Sequence, residues 1–228
     1  LLVGEESAGK TLLAMMAIKA ALARDLPVVF IDVERSWTSE WARTVGIDPS
    51  RVIVSDPASG EAAFDVARAT VKTEPAGVLV IDSIAAMPPA AELEESSEKQ
   101  FIGSQARMVN AGFRTLNKAN TGGWMILVVN QIREKVGVVY GSPETLPGGK
   151  GQRYYAWQIV RVRRGAPIED GTGKDKRMLG RMLRIKLDKN KQGAPGQEAE
   201  VPFYFTGEFD VVSGVLDLAI ELGVIAAN

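Results

Sequence analysis

The chain has 228 residues, 46% of them hydrophobic and 24% charged, with a net charge of −1; this suits one folded domain, or one with a small appendage, and argues against disorder. It contains neither cysteine nor histidine, which excludes disulfides, thiol chemistry, Cys- or His-ligated metals and every mechanism with an imidazole base. Catalysis therefore falls to carboxylates, Lys, Arg, Gln or a metal held by oxygen ligands.

Residues 1–4 read as the end of a strand, followed by a glycine-rich turn and a helix over 10–24. Buried-type strands are expected at 28–32, 51–54 and 77–82. A helix is expected at 60–73, where Ala63, Phe64, Val66, Ala67 and Val71 fall at helical spacing. A further helix at 103–120 and an apolar strand at 124–130 complete an alternation that implies a mostly parallel sheet covered by helices. Residues 137–151 hold five Gly and two Pro, which predicts a long mobile loop. Beyond it the period changes to two. Val160 and Val162 alternate with Arg161 and Arg163, and Leu183, Ile185 and Leu187 with Arg184, Lys186 and Asp188; Val201, Phe203 and Phe205 continue the pattern. These predict antiparallel strands joined by hairpins, one at Asp170-Gly171-Thr172-Gly173, before a closing helix near 215–222. No apolar run reaches the roughly 20 residues of a membrane helix, and no secretory leader is read at the start.

Charge is unevenly placed. Residues 130–191 carry 15 Lys/Arg against 6 Asp/Glu, a local +9 that leaves −10 elsewhere. A localised polyanion site and a set of solvated strand faces both fit this asymmetry.

Gly4-Glu5-Glu6-Ser7-Ala8-Gly9-Lys10-Thr11 matches G-x-x-x-x-G-K-S/T between a strand end and a helix. Glycines let the backbone curl so that successive N–H groups meet phosphate oxygens, and the following helix presents its positive end to the same anion. Lys10 then reaches the β- and γ-phosphates, and the Thr11 hydroxyl binds Mg²⁺. The alternative is a glycine-rich turn with an incidental Lys-Thr. Val78-Leu79-Val80-Ile81-Asp82 ends an apolar run in a carboxylate that can hold the Mg²⁺ shell through water. Phe30-Ile31-Asp32-Val33-Glu34 ends a second such strand in two acids. Without histidine, Glu34 is the candidate base for an attacking water, unless it is a solvated loop acid. Asp32 is assigned to the hydrogen bonds around its strand.

With these residues placed, the sequence resembles the RecA family of strand-exchange recombinases, bacterial and phage-encoded, over nearly its whole length. Gly4 to Thr11 is similar to the family's phosphate loop, the strand at 30–34 to the one carrying the glutamate that activates water, and 80–86 to its Walker B strand. The most specific stretch is residues 130–137, followed by 140–145 and Gly148-Gly149, which resembles the family's second DNA-binding loop. Lys189-Asn190-Lys191 resembles the segment whose lysines reach ATP on a neighbouring subunit. The resemblance implies one core domain over 1–228, with a RecA-like parallel sheet and an antiparallel extension in its C-terminal third. It also implies that the family's N-terminal polymerisation arm and large C-terminal domain lie outside these residues.

By the same resemblance, Gln131 senses the γ-phosphate, and Lys189 and Lys191 act in trans on transition-state charge. Arg133, Lys135, Thr145, Gly148 and Gly149 face the DNA backbone, joined by Arg107 and Arg114. Trp41 falls where the family places an aromatic ring on adenine, although a helix-face core role fits it equally. Tyr154 falls near the family's subunit contact, or in a strand core. The implied activity is that of a DNA-dependent ATPase that uses ATP and Mg²⁺, assembles into helical filaments on single-stranded DNA, pairs it with duplex, and works in the cytoplasm without a membrane. The alternatives are a ring-forming motor such as a replicative helicase, and a regulator that binds nucleotide without turnover. Departures from the family pattern are Glu5-Glu6 in the phosphate loop, Pro147 in the second DNA loop, and four glutamates (Glu92, Glu94, Glu95, Glu98) where the first DNA loop would lie.

Overall fold

The apolar runs of the sequence lie side by side in one eight-stranded sheet. A computed structural model describes residues 1–73, 75–94, 103–134, 144–172 and 175–210. In chain order these form β1 (Leu2–Gly4), α1 (Lys10–Leu22), β2 (Val28–Asp32), α2 (Ser39–Thr44), β3 (Val52–Ser55), α3 (Gly60–Thr70) and β4 (Val78–Asp82). Then come α4 (Ala90–Glu94), α5 (Ser104–Ala119), β5 (Met125–Gln131), β6 (Arg133–Glu134), β7 (Glu144–Thr145) and α6 (Gly151–Tyr155). Three long strands follow: β8 (Gln158–Asp170), β9 (Arg177–Asn190) and β10 (Glu198–Tyr204). The sheet has the order β10-β9-β8-β1-β5-β4-β2-β3; from β8 to β3 every neighbouring pair is parallel, and β8, β9 and β10 pair antiparallel. This is the α/β class the sequence predicts, with its antiparallel extension in place.

Both faces of β2 and β4 are buried along their whole length, which a central parallel strand under helices requires. Alternate residues serve opposite layers. Val28, Phe30, Val78 and Val80 join Met15 and Ile18 of α1 in one core. Val29, Ile31, Leu79 and Ile81 join Phe64 of α3 and Leu116 of α5 in the other. Gly112 lets α3 and α5 approach, because a Cβ there would stand 2.3 Å from the Phe64 ring. Ser59 caps α3 by accepting a hydrogen bond from the Ala62 N–H at 3.2 Å.

Several expectations change. The helix at 60–73 stops at Thr70. Short helices α2, α4 and α6 form where periodicity was too brief to read. Tyr154 lies on α6 and is 75% exposed, so it is not a strand-core residue. The loop expected at 137–151 is described from Glu144 onward, and that part is pinned: β7 pairs with β6, and buried side-chain amides hold the Pro147 and Gly149 carbonyls. The closing helix near 215–222, Gly173 of the expected hairpin, Glu95 and Glu98 lie outside the described residues.

The basic third of the chain is more paired than its composition suggests. Arg161, only 15% exposed at its side chain, bridges Glu144 and Asp188, the latter at 2.7 Å. The β9–β10 register sets Arg184 beside Glu200 and Lys186 beside Glu198, each at 2.5 Å. Such exposed pairs contribute at most about 1 kcal/mol each; the half-buried Arg161 cluster ties β7 to the sheet.

Candidate nucleotide site and polynucleotide loop

Parallel pairing brings the carboxyl ends of β1, β2, β4 and β5 to one edge of the sheet, where ligands gather in open α/β folds. β1 ends at Gly4, whose backbone passes so near β8 that a Cβ would meet the Val162 carbonyl oxygen at 2.2 Å. The chain then curls through Ser7 (φ 54°) and Gly9 (φ 97°) into α1. No side chain caps α1, and its first turn holds no acid. Its amide donors thus meet no carboxylate of their own, which leaves them to an anion. Lys10 is 6% exposed, and its ammonium donates to the Glu5 carbonyl at 2.5 Å. Burial pulls its pKa below the usual lysine value, against the pull of Asp82 and Glu34. The Arg164 guanidinium braces the loop from β8 by donating to the Glu6 carbonyl.

Asp82 ends β4 at 1% exposure. Its Oδ2 accepts a hydrogen bond from Thr11 Oγ1 at 2.5 Å, whereas Oδ1 is buried without a partner. Burial pushes this carboxyl up to about 6 from 3.8, Thr11 opposing and Glu34 and Asp32 adding to the rise. A bare carboxylate oxygen beside a hydroxyl fits Mg²⁺, a hard cation that takes oxygen ligands and keeps several waters. Among the described residues no three acids converge as a metal cage, so phosphates and water would complete such a shell.

Glu34 lies two residues beyond β2, held there because the Val33 and Glu34 N–H groups donate to the Asp82 carbonyl at 2.8 and 3.2 Å. Its Oε1 accepts from Ser83 Oγ and from Gln131 Nε2, the latter at 3.2 Å. The candidate base and the candidate phosphate sensor therefore touch. Asp32 organises the same turn, accepting from the Ser36 and Trp37 N–H groups, both at 2.9 Å.

A cleft of about 570 Å³ joins the phosphate loop from Glu6 to Thr11 with Glu34, Asp82, Gln131 and Trp41. Trp41, on α2, lines this cleft and also packs edge-on against Phe203 at 6.4 Å, so both readings of it meet in one place. The far wall is Arg181, Leu183, Phe203 and Phe205 from the antiparallel extension. The sequence reading missed all four, and Ser83 as well: periodicity marks β9 and β10 as strands but does not say that they return to the phosphate loop. A larger apolar groove of about 940 Å³ over β1 and β5 has no carboxylate or basic side chain in its lining, and it offers none of this chemistry.

Lys189 and Lys191 do not join the cleft. β9 runs antiparallel to β8, so they stand beside Ile159 and Trp157 at the opposite edge of the sheet. There Lys189 donates to the Arg153 carbonyl at 2.5 Å, and Lys191 lies over the Tyr154 and Trp157 rings at 5.9 and 5.8 Å.

Arg133 and Thr145 pair across β6 and β7, with Thr145 Oγ1 donating to the Arg133 carbonyl at 3.2 Å. Gly148 and Gly149, both at φ 80°, press on Ile84 just past β4 and on Val109 and Ala106 in the first half of α5. Arg107 is exposed on that half, and Arg133 and Gly148 line a shallow cleft with Ala106 and Glu92. Arg114 is exposed about 10 Å further along α5, two turns past Arg107. Lys135 lies outside the described residues.

A curled, glycine-bearing anion cradle feeding a helix at the carboxyl edge of a parallel sheet defines a P-loop α/β protein. Comparison with known families narrows this: the RecA N-terminal domain matches residues 2–210. Protein RecA of Mesomycoplasma hyopneumoniae (strain 7448) is 37% identical over 223 residues, covering 97% of this chain and 65% of the relative. Protein RecA of Chlorobaculum tepidum is 36% identical, covering 97% and 63%, and that of Cutibacterium acnes 35% identical, covering 99% and 64%. The chain belongs to the RecA family. It spans just under two thirds of the length of these relatives. Among the described residues no helix is long and apolar enough to cross a membrane.

Proposed function

We propose that the protein is an ATP-dependent DNA recombinase, forming helical filaments on single-stranded DNA in the cytoplasm, pairing that strand with homologous duplex and hydrolysing ATP where subunits meet. The contact between Gln131 and Glu34 at 3.2 Å carries this reading, because it sets the water-activating group and the strand leading to the DNA loop in one hydrogen bond.

The phosphates of ATP lie against the α1 amides, and Lys10 leaves the Glu5 carbonyl for them. Thr11 and Asp82 would hold Mg²⁺, which would offset charge on the phosphates. Gln131 turns its amide from Glu34 to the γ-phosphate. That frees a lone pair on Glu34 Oε1, and Glu34 takes the proton of the attacking water. Lys189 and Lys191 stand at the edge of the sheet opposite their own cleft, which supports their acting on the next subunit's ATP. A head-to-tail repeat of this kind gives an open helix when its rotation does not close. Loss of the γ-phosphate returns Gln131 to Glu34 and loosens the loop carrying Arg133, Thr145, Gly148 and Gly149.

The test is ATP hydrolysis by the intact protein with and without single-stranded DNA. DNA raises the rate; Lys10→Ala removes nucleotide binding, and Glu34→Gln keeps binding while turnover falls by about 10²–10⁴. A rate indifferent to DNA sinks the proposal.

A further inference from the structure

We propose that Gln152 is a positioning residue that, through Asn130, transmits the state of Gln131 to the glycine-rich segment 145–149. The inference rests on the function proposed above and deepens it.

Gln152 is the second residue of α6 and is 1% exposed. Its Nε2 donates to the Pro147 carbonyl at 2.5 Å and to the Gly149 carbonyl at 2.9 Å. Its Oε1 accepts from Asn130 Nδ2 at 2.7 Å. Asn130, fully buried in β5, donates also to the Pro147 carbonyl at 2.9 Å, and its Oδ1 accepts the backbone N–H of Gln131 at 2.9 Å. The amides therefore form one unbroken chain from the Gln131 backbone to two carbonyls of the loop. Each link broken costs a buried hydrogen bond, so the chain shifts as a unit. A turn of Gln131 toward a phosphate pulls on the Asn130 acceptor, and the pull ends at Pro147 and Gly149. Only an amide at 152 serves. Leucine would fill the volume and remove three hydrogen bonds, leaving the Gly149 carbonyl without its side-chain donor and Asn130 Nδ2 and the Pro147 carbonyl with only their bond to each other; glutamate would keep the bond from Asn130 and lose both donations to the loop. Gly151 makes the placement possible, since a Cβ there would fall 1.5 Å from Asn110 Oδ1 and hold α6 away from α5.

The experiment measures the anisotropy of a labelled oligo(dT) on the intact protein, with and without a non-hydrolysable ATP analogue. The ratio of the two Kd values is the coupling factor. Binding of a fluorescent ATP analogue, circular dichroism and urea midpoints are followed alongside. Gln152→Leu and Gln152→Glu are expected to bind nucleotide within about twofold of wild type and to lose at least about tenfold of the coupling factor, as two lost hydrogen bonds imply. Gln131→Ala/Gln152→Leu is expected to be no worse than either single change, because both interrupt one path. A wild type without coupling defeats the parent function. A coupled wild type with unchanged Gln152 variants overturns this proposal alone. So do additive losses in the double variant, or loss of folding in both single variants, which make Gln152 merely structural.

Discussion

Replacing Asp82 with Asn removes a charge from one of the most buried points of the molecule. Asp82 is 1% exposed, and burial lifts its carboxyl from 3.8 to about 6. Between those values the folded chain holds a proton that the unfolded chain has released, so stability falls as pH rises from about 4 through about 6. Two pKa units at 1.36 kcal/mol each put the destabilisation near 3 kcal/mol at neutral pH. Asn keeps an acceptor for Thr11 but sets an unpaired amide where Oδ1 is bare, which returns about 1–2 kcal/mol. Asp82→Asn is therefore expected to stabilise the nucleotide-free protein by about 1–2 kcal/mol at pH 7.5 in EDTA. The gain should shrink through pH 6 and reverse by pH 4. Urea unfolding across that range measures it, and a second series with Mg²⁺ and ATP should invert the order, since only wild type keeps the carboxylate. A variant less stable than wild type at pH 7.5 in EDTA, or a gain indifferent to pH, refutes the reasoning.

Gln131→Ala should bind ATP within about twofold of wild type yet hold single-stranded DNA equally with and without nucleotide; equal loss of both affinities in titrations contradicts its sensor role. Gly4→Ala drives a methyl to 2.2 Å from the Val162 carbonyl oxygen and should destabilise by about 2–4 kcal/mol in urea; a neutral change would mean that β1 and β8 part without strain. Lys189→Ala and Lys191→Ala should each lose turnover alone and regain part of it when mixed with Glu34→Gln. Mixing creates sites with one intact set from each subunit, and mixtures no better than their components exclude action in trans.

Legibility in the sequence followed the range of the interactions. The strands ending at Asp32 and Asp82, the glycine-bearing curl at 4–11 and the helix after it are written in consecutive residues, because each is a local steric or hydrophobic requirement. The wall formed by Arg181, Leu183, Phe203 and Phe205 was not, because it depends on β8 pairing with β1 and carrying β9 and β10 past the phosphate loop. Gln152 was equally hidden. It directly follows a stretch whose glycines announce a free loop, and its effect comes from partners at positions 130, 147 and 149. The basic excess of residues 130–191 left two readings open, and its cross-strand pairing was not legible either: Arg184 and Lys186 meet Glu200 and Glu198 from beyond that span, and Arg161 meets Glu144 and Asp188 within it. A strand-core place for Tyr154 stayed open beside the subunit contact because one short helical turn has no period to show.

The most direct measurement is the affinity of the intact protein for single-stranded DNA in three states: with a triphosphate analogue, with ADP, and with no nucleotide, across a range of salt. The triphosphate state should bind at least about tenfold tighter than the others, with every affinity falling as salt rises. The same affinity in all three states would contradict the link from Lys10 and Gln131 to the glycine-rich loop.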